Sequence, residues 1–455
     1  MKNKIDRIER YFLRSIDEQL EKWATNKDKT IALINGARRT GKTYSLQYLG
    51  ENQFDNYEII EVNEISDEVL HLLIDKGRTI DNFCDYLLSE YDISKDKINN
   101  KLLIVFDEIQ EHNELKETIS VLNSNLDCRF ACTGSALWIN DTNGTRPTAD
   151  YESFNVYPFS FEEFLKIIGE SDQLKDAKTA FLNKKDKDGD INLLRLLRLY
   201  IAIGGMPQPI ACYLDHKDDN NLFIKINRCK KISIINTYEN DLKRYERIFN
   251  LHLLREYKTI ISSIGKPRDI TNNKEIYEKL IKMNIIVAAS NLLNINNKLS
   301  SSFDDNYVKP FLLDTGTLFY YLCGDERDEL VKSFYENFIN NKDSDDNGYL
   351  YENFVASSLV QYNIIPFFKS FTGVDENEEE KIYELDFVCS HKTGPTILEA
   401  KSGSDKEHKS LELGLKKYQK VKQGFILCKF YRFDKKNYQK GPHYIPFYAL
   451  MFLLR

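Results

Sequence analysis

The sequence predicts an α/β fold built on a parallel sheet, and three observations predict it. Short, uninterrupted apolar runs at Thr30 to Asn35, Leu102 to Phe106 and Phe130 to Cys132 have the character of strands buried on both faces. Helix-like stretches alternate with these runs, as they must when parallel strands are joined by crossovers. The first run leads straight into a glycine-rich turn, Gly36-Ala-Arg-Arg-Thr-Gly-Lys-Thr43, and a helical stretch continues through Tyr48.

Taken in order, the chain opens with Ile5, Ile8, Phe12, Ile16, Leu20 and Trp23 at steps of three and four, an amphipathic helix. After the three strands, Gly169 to Asn192 is polar and reads as a surface connection. Its Asp186-Lys-Asp-Gly-Asp190 does not fit the EF-hand template, because the glycine is fourth instead of sixth and position twelve lacks Glu. A solvated turn accounts for it. From Leu193 to Cys323 the pattern is helical, broken by Gly204-Gly-Met-Pro207. A helix at Glu275 to Met283, then strands at Ile285 to Ala289 and Val308 to Leu313, suggest a winged helix. A polar interval, Asn340 to Asn347, precedes the last segment. The predicted domains are residues 1–168, the N-terminal helix and the parallel-sheet core; 169–339, helical and winged-helix-like; and 340–455, a second α/β domain. A chain of 455 residues accommodates three.

Composition narrows the classes. Eight scattered cysteines argue against a disulfide framework and for reduced thiols in the cytoplasm. The charged first ten residues lack the apolar stretch of a secretory signal, and no run approaches a membrane span, so no membrane partner is expected. The net charge of −7 conceals local excesses. Residues 341–400 sum to about −8, 401–455 to about +9 and 225–269 to about +6, which leaves room for phosphate-bearing partners.

Gly36-x4-Gly41-Lys42-Thr43 satisfies the phosphate-loop template. Glycine lets the backbone curl so that its N–H groups face phosphate oxygens, and the helix N-terminus adds positive potential. Gly36, Arg39, Thr40, Gly41, Lys42 and Thr43 are the expected ATP contacts, with Lys42 on the β- and γ-phosphates and the Thr43 hydroxyl on Mg2+. Asp107 ends the second strand, where it would hold the hydrated Mg2+, and Glu108 would activate the attacking water. Thr133 and Ser135 end the third strand near the γ-phosphate. A charge-neutralising arginine is expected among Arg38, Arg39 and Arg146, or from a neighbouring subunit, and the sequence does not choose.

Near the C-terminus, Tyr383 to Cys389 and Thr396 to Lys401 flank a turn-rich Ser390 to Pro395, a predicted hairpin. With the turn centred on Lys392-Thr393, Asp386 lies opposite Glu399, and Lys401 shares the face of Glu399. Glu352, on a predicted helix, would add a carboxylate. Glu352, Asp386 and Glu399 are the candidate metal ligands for Mg2+ or Mn2+, with Lys401 to stabilise developing charge, as in a metal-dependent phosphodiesterase.

These residues together resemble the prokaryotic AAA-type ATPases, of the archaeal ATPase and STAND-related group, that end in a nuclease-like domain. The loop with its arginine pair, Ile104-Val-Phe-Asp-Glu-Ile-Gln110, Thr133-Gly-Ser135, Tyr157-Pro-Phe-Ser-Phe-Glu-Glu-Phe164, Gly204-Gly-Met-Pro207 and Leu313-Asp-Thr-Gly316 all fit. The resemblance implies an AAA-like core, a helical and winged-helix middle and a PD-(D/E)XK, restriction-endonuclease-like end. Family members carry Gly-Arg shortly before the Pro-Phe-Ser-Phe block, where this chain reads Ala149-Asp-Tyr151, and Leu385 stands where the archetypal motif has proline. Three functions follow as expectations: an ATP-driven enzyme cutting DNA, a regulatory switch with a non-cutting nuclease-like fold, or an ATPase remodelling a protein partner. A homo-oligomer is also open.

Overall fold

The structure, a computed structural model, describes residues 10–74, 79–137, 150–342, 347–374, 379–401, 409–435 and 440–455. Two compact units divide the chain: residues 1–157 with 282–284, and residues 158–281 with 285–455.

In the first unit, the described part of the opening segment is helical from Ser15, giving α1 (Ser15–Thr25). There follow β1 (Ile31–Asn35), α2 (Lys42–Gln53), β2 (Asn56–Glu61), α3 (Asp67–Ile74), α4 (Thr79–Tyr91), β3 (Leu102–Asp107), α5 (Asn113–Asn125), β4 (Arg129–Gly134) and β5 (Tyr151–Asn155). The strands lie in the order β2-β3-β4-β1-β5, every pair parallel. Strand alternation splits the side chains between two cores. Ile31, Leu33, Ile104 and Phe106 join one apolar cluster, while Ala32, Ile34, Leu103 and Val105 join the other. Burial on both faces explains why the central strands read as unbroken apolar runs.

The second unit contains α6 (Phe161–Ile167), α7 (Leu174–Leu182), β6 (Lys187–Asp188), α8 (Ile191–Ile203), α9 (Pro207–His216), α10 (Leu222–Lys230), α11 (Asn236–Phe249), α12 (Leu253–Ser262), β7 (Arg268–Asp269) and α13 (Lys274–Lys282). It continues with β8 (Ile286–Leu292), β9 (Phe303–Leu312), α14 (Thr315–Cys323), α15 (Asp328–Ile339), α16 (Gly348–Gln361), β10 (Phe367–Val374), β11 (Glu380–His391) and β12 (Gly394–Ala400). Last come α17 (Lys409–Lys417), β13 (Gln423–Cys428), β14 (Phe430–Tyr431), β15 (His443–Pro446) and α18 (Leu450–Leu454).

The predicted hairpin at β8 and β9 is present, but it is not a free wing. β8 also pairs in parallel with β10, so one eight-stranded sheet runs β15-β13-β12-β11-β10-β8-β9-β7. The expected boundary at 339/340 therefore cuts through a continuous sheet, and the expected boundary at 168/169 gives way to 157/158. Asp186 to Asp190 is also more than a solvated turn. β6 pairs with β14, Gly189 sits where a Cβ would lie 1.9 Å from the Lys429 carbonyl oxygen, and Asp190 caps α8 by accepting from Asn192 N and Leu193 N.

Two of the short motifs form a buried lock. The Asp314 carboxylate accepts hydrogen bonds from Gly205 N and Thr317 N at 2.7 Å and from the Thr317 hydroxyl at 2.9 Å. It thereby starts α14 and fastens the loop between α8 and α9. Gly204 ends α8 at φ 88°, a left-handed conformation that glycine adopts without strain. A Cβ on Gly316 would lie 2.2 Å from the Ile203 carbonyl oxygen, and one on Gly205 would lie 2.2 Å from that of Phe159. The Tyr200 hydroxyl donates to the same Phe159 oxygen at 2.7 Å. Burial raises the Asp314 carboxyl above its usual range, and it lowers the nearby Lys230 ammonium to about 7. Gly316→Ala should destabilise the second unit by about 1–3 kcal/mol through overpacking, and Asp314→Ala by at least about 2 kcal/mol through orphaned donors. Both are read as lowered midpoints in denaturant titration.

Candidate functional site

The glycine-rich loop spans β1 and α2, and its shape follows from backbone needs. A Cβ on Gly36 would lie 2.3 Å from the Val156 carbonyl oxygen, and Gly41 has φ 92°. Arg39 also adopts a left-handed φ of 67° and is exposed. Thr40 is fully buried and donates to Ala37 O at 2.8 Å, so it shapes the loop from within. The Lys42 ammonium donates to Gly36 O and Ala37 O, each at 3.1 Å.

Strand ends bring the other side chains to this loop. The Thr43 hydroxyl donates to Asp107 Oδ2 at 2.9 Å, and the Thr133 hydroxyl donates to Asp107 Oδ1. Glu108 sits at φ 61° and ψ 48°, left-handed for a residue with a side chain, a strained position of the kind found at reactive sites. Its carboxylate lies 3.8 Å from Lys42 Nζ and 3.6 Å from the Arg38 guanidinium, and it accepts from Gln110 Nε2 at 2.8 Å and Ser135 Oγ at 3.4 Å. Burial pushes the Glu108 carboxyl up, but Lys42, Arg38 and the hydrogen bonds outweigh it and hold the group below its usual range. Asp107, by contrast, is raised, chiefly by burial. A hydroxyl and a carboxylate within hydrogen-bond reach at the helix start fit the ligands a nucleotide-bound Mg2+ takes.

Of the three arginines, Arg38 is the one beside Glu108, and Arg146 lies outside the described residues. Sequence reasoning missed what holds the loop from outside. Arg14 donates to Thr40 O at 2.7 Å, the Tyr11 hydroxyl donates to Asp17 Oδ1 at 2.7 Å and accepts from Ser45 Oγ at 3.1 Å, and its ring stacks on Tyr48 at 4.2 Å. Nothing in an opening segment of mixed charge singles those residues out.

The second predicted site lies on the large sheet. β11 and β12 pair Phe387 with Leu398 and Val388 with Ile397, the register that sets Asp386 beside Glu399. Asp386 Oδ2 accepts from Ala400 N at 2.9 Å, and Glu399 accepts from Ser410 Oγ at 3.0 Å and pairs with Lys401 at 3.0 Å. Glu352 projects from α16 into the same cluster. Burial, with Asp386 next, raises the Glu352 and Glu399 carboxyls to about 7. One member was missed. Lys309 of β9 has a side chain 2% exposed, and its ammonium lies 2.8 Å from Glu384 and 3.8 Å from Glu352. Among the described residues no group of three His, Cys, Asp or Glu is arranged to hold a metal ion. In this structure the carboxylates of the expected set are engaged by other groups: Lys309 lies beside Glu352, Lys401 and the Ser410 hydroxyl meet Glu399, and the Ala400 N–H meets Asp386.

Comparison with known proteins agrees with the first unit. Residues 28–165 match the model of a family described as AAA domain. No curated protein matches the chain. Among solved structures, a Walker-type ATPase of Pyrococcus abyssi aligns with TM-score 0.37 and 14% identity over 70% of this chain and 98% of its own. The RuvB Holliday junction branch migration motor of Thermotoga maritima aligns with TM-score 0.30 and 12% identity over 61% and 89%. Among the described residues no helix is long and apolar enough to cross a membrane.

Two outcomes are expected at the loop. Glu108→Gln should keep ATP binding and slow phosphate release by about 10²–10⁴-fold, whereas Lys42→Ala should lose nucleotide binding; fluorescent-nucleotide titration and a phosphate assay separate the two. Arg38 lowers the Glu108 pKa, so Arg38→Ala should raise it and move the acid limb of the pH–rate profile to higher pH. An unmoved limb would show that Glu108 does not set it.

Proposed function

We propose that this chain is an ATP-hydrolysing AAA-type switch whose second unit carries a nuclease-like module used as a binding surface. The observation that carries the ATPase reading is Glu108, ionised and aimed from a strained backbone at the loop that holds Lys42 and Thr43. Mg2+ held by Thr43 and Asp107 would supply charge neutralisation on the phosphates. The chain's own groups do the rest. Lys42 leaves the loop carbonyls for the phosphates, Glu108 takes the proton of the attacking water, and Arg38 is the cation nearest that base. Thr133 and Ser135 link Asp107 and Glu108 to the end of β4, so occupancy of the γ-phosphate position would be felt there.

The nuclease-like reading of the module is supported by its element order, α16-β10-β11-β12-α17-β13, an antiparallel meander followed by a parallel strand. The lysine contacts of Glu352, Glu384 and Glu399 favour holding over cutting. DNA is the partner class that the basic excess after Lys401 suits. A second reading, metal-dependent DNA cleavage, is favoured by the Asp386, Glu399 and Lys401 register. Plasmid nicking with Mg2+ or Mn2+ and ATP tests the choice. The binding reading expects no nicking by wild type and an ATP turnover that changes when DNA is added. Nicking that disappears in both Asp386→Ala and Lys401→Ala would overturn it.

A further inference from the structure

We propose that Lys309 is the resident cation of the carboxylate cluster, its ammonium holding Glu352 and Glu384 together beside Asp386 so that the cluster does not take a divalent metal. The inference deepens the non-cutting reading and rests on it. Lys309 reaches the cluster from β9, two strands away from β10 and on the far side of β8. Its Nζ meets Glu384 of β11 at 2.8 Å and Glu352 of α16 at 3.8 Å, two carboxylates from different elements. Its Nζ lies 5.7 and 5.9 Å from the ring centroids of Phe368 and Phe387 and the residue is buried, so little water is left to solvate the charge. An ammonium taken out of water needs carboxylates beside it, and Glu384 and Glu352 supply them.

The surroundings are built to keep that arrangement. Asn353, next to Glu352, accepts from Leu312 N at 2.8 Å and donates to Leu312 O at 3.0 Å, which stitches α16 to the strand carrying Lys309. Gly265 makes room for the Glu352 carboxylate, since a Cβ there would lie 2.9 Å from its Oε2. At the other end of the cluster Lys401 neutralises Glu399. The groups facing Lys309 and its partners are therefore Glu352, Glu384, Asp386, Glu399 and Lys401. A divalent cation entering here must displace a paired ammonium, where an ordinary metal site exchanges water.

The test is Mn2+ binding by electron paramagnetic resonance on the nucleotide-free full chain, every protein carrying Asp107→Asn to silence the first unit. In that parent, Asp386→Asn should leave Mn2+ binding unchanged. Lys309→Met should bind Mn2+ at least about tenfold more tightly, and adding Asp386→Asn should cancel the gain. Because Lys309→Met leaves carboxylates unpaired, the double variant Lys309→Met/Glu384→Gln removes part of that charge and should show the same gain. A parent whose bound Mn2+ is lost with Asp386→Asn overturns the proposal whether or not the lysine variants fold, and so does a folded Lys309→Met with no gain. Plasmid nicking is scored separately. Nicking without Mn2+ at the cluster would sink the binding reading alone, while Mn2+ at the cluster without nicking would sink the Lys309 assignment alone.

Discussion

A charge taken out of water must meet an opposite charge or a set of hydrogen bonds within a few ångströms, and this constraint organises the chain at three places. At the loop it sets Glu108 against Lys42 and Arg38. In the lock it surrounds Asp314 with backbone N–H groups and the Thr317 hydroxyl. On the large sheet it brings Lys309 to Glu352 and Glu384. Each cluster joins elements far apart in sequence, so satisfying it fixes tertiary arrangement as well as local chemistry. In the first of the three, two cations hold the Glu108 carboxyl below its usual range; the other two are closed.

How much of this was legible in the sequence depended on whether a signal was local. The central strands announced themselves as apolar runs because β1, β3 and β4 are buried on both faces. β2 and β5 lie at the edges of the same sheet; in Tyr151-Glu-Ser-Phe-Asn155 only Phe154 is buried, so nothing apolar marks that strand. The phosphate loop was legible because its template is contiguous, and the β11–β12 register followed from the position of one turn. Lys309 was not, because a lysine in a strand reads as solvent-facing until the opposing carboxylates are known. Arg14 and Tyr11 escaped for the same reason, acting on the loop across some thirty residues of sequence.

The motifs carried by family resemblance also acquire a physical meaning. Gly204-Gly-Met-Pro207 and Leu313-Asp-Thr-Gly316 are two halves of one packing solution, in which glycines admit a neighbouring carbonyl at distances no Cβ would allow. Their composition is dictated by close approach. β9 runs from the acidic cluster at Lys309 into that lock, which begins at Asp314 just past the strand's end, so both buried polar arrangements hang on one strand.

The merged sheet bears on how such a chain can be taken apart or recombined. A gene fragment encoding only residues 340–455 has the look of a movable cassette, with a helix at its start and a complete meander after it. It would arrive in a new host protein without β8, the neighbour of its β10, and without the ammonium that Glu352 and Glu384 meet. The module is thus portable only together with the hairpin before it, and the inheritable unit is larger than the one that secondary structure outlines.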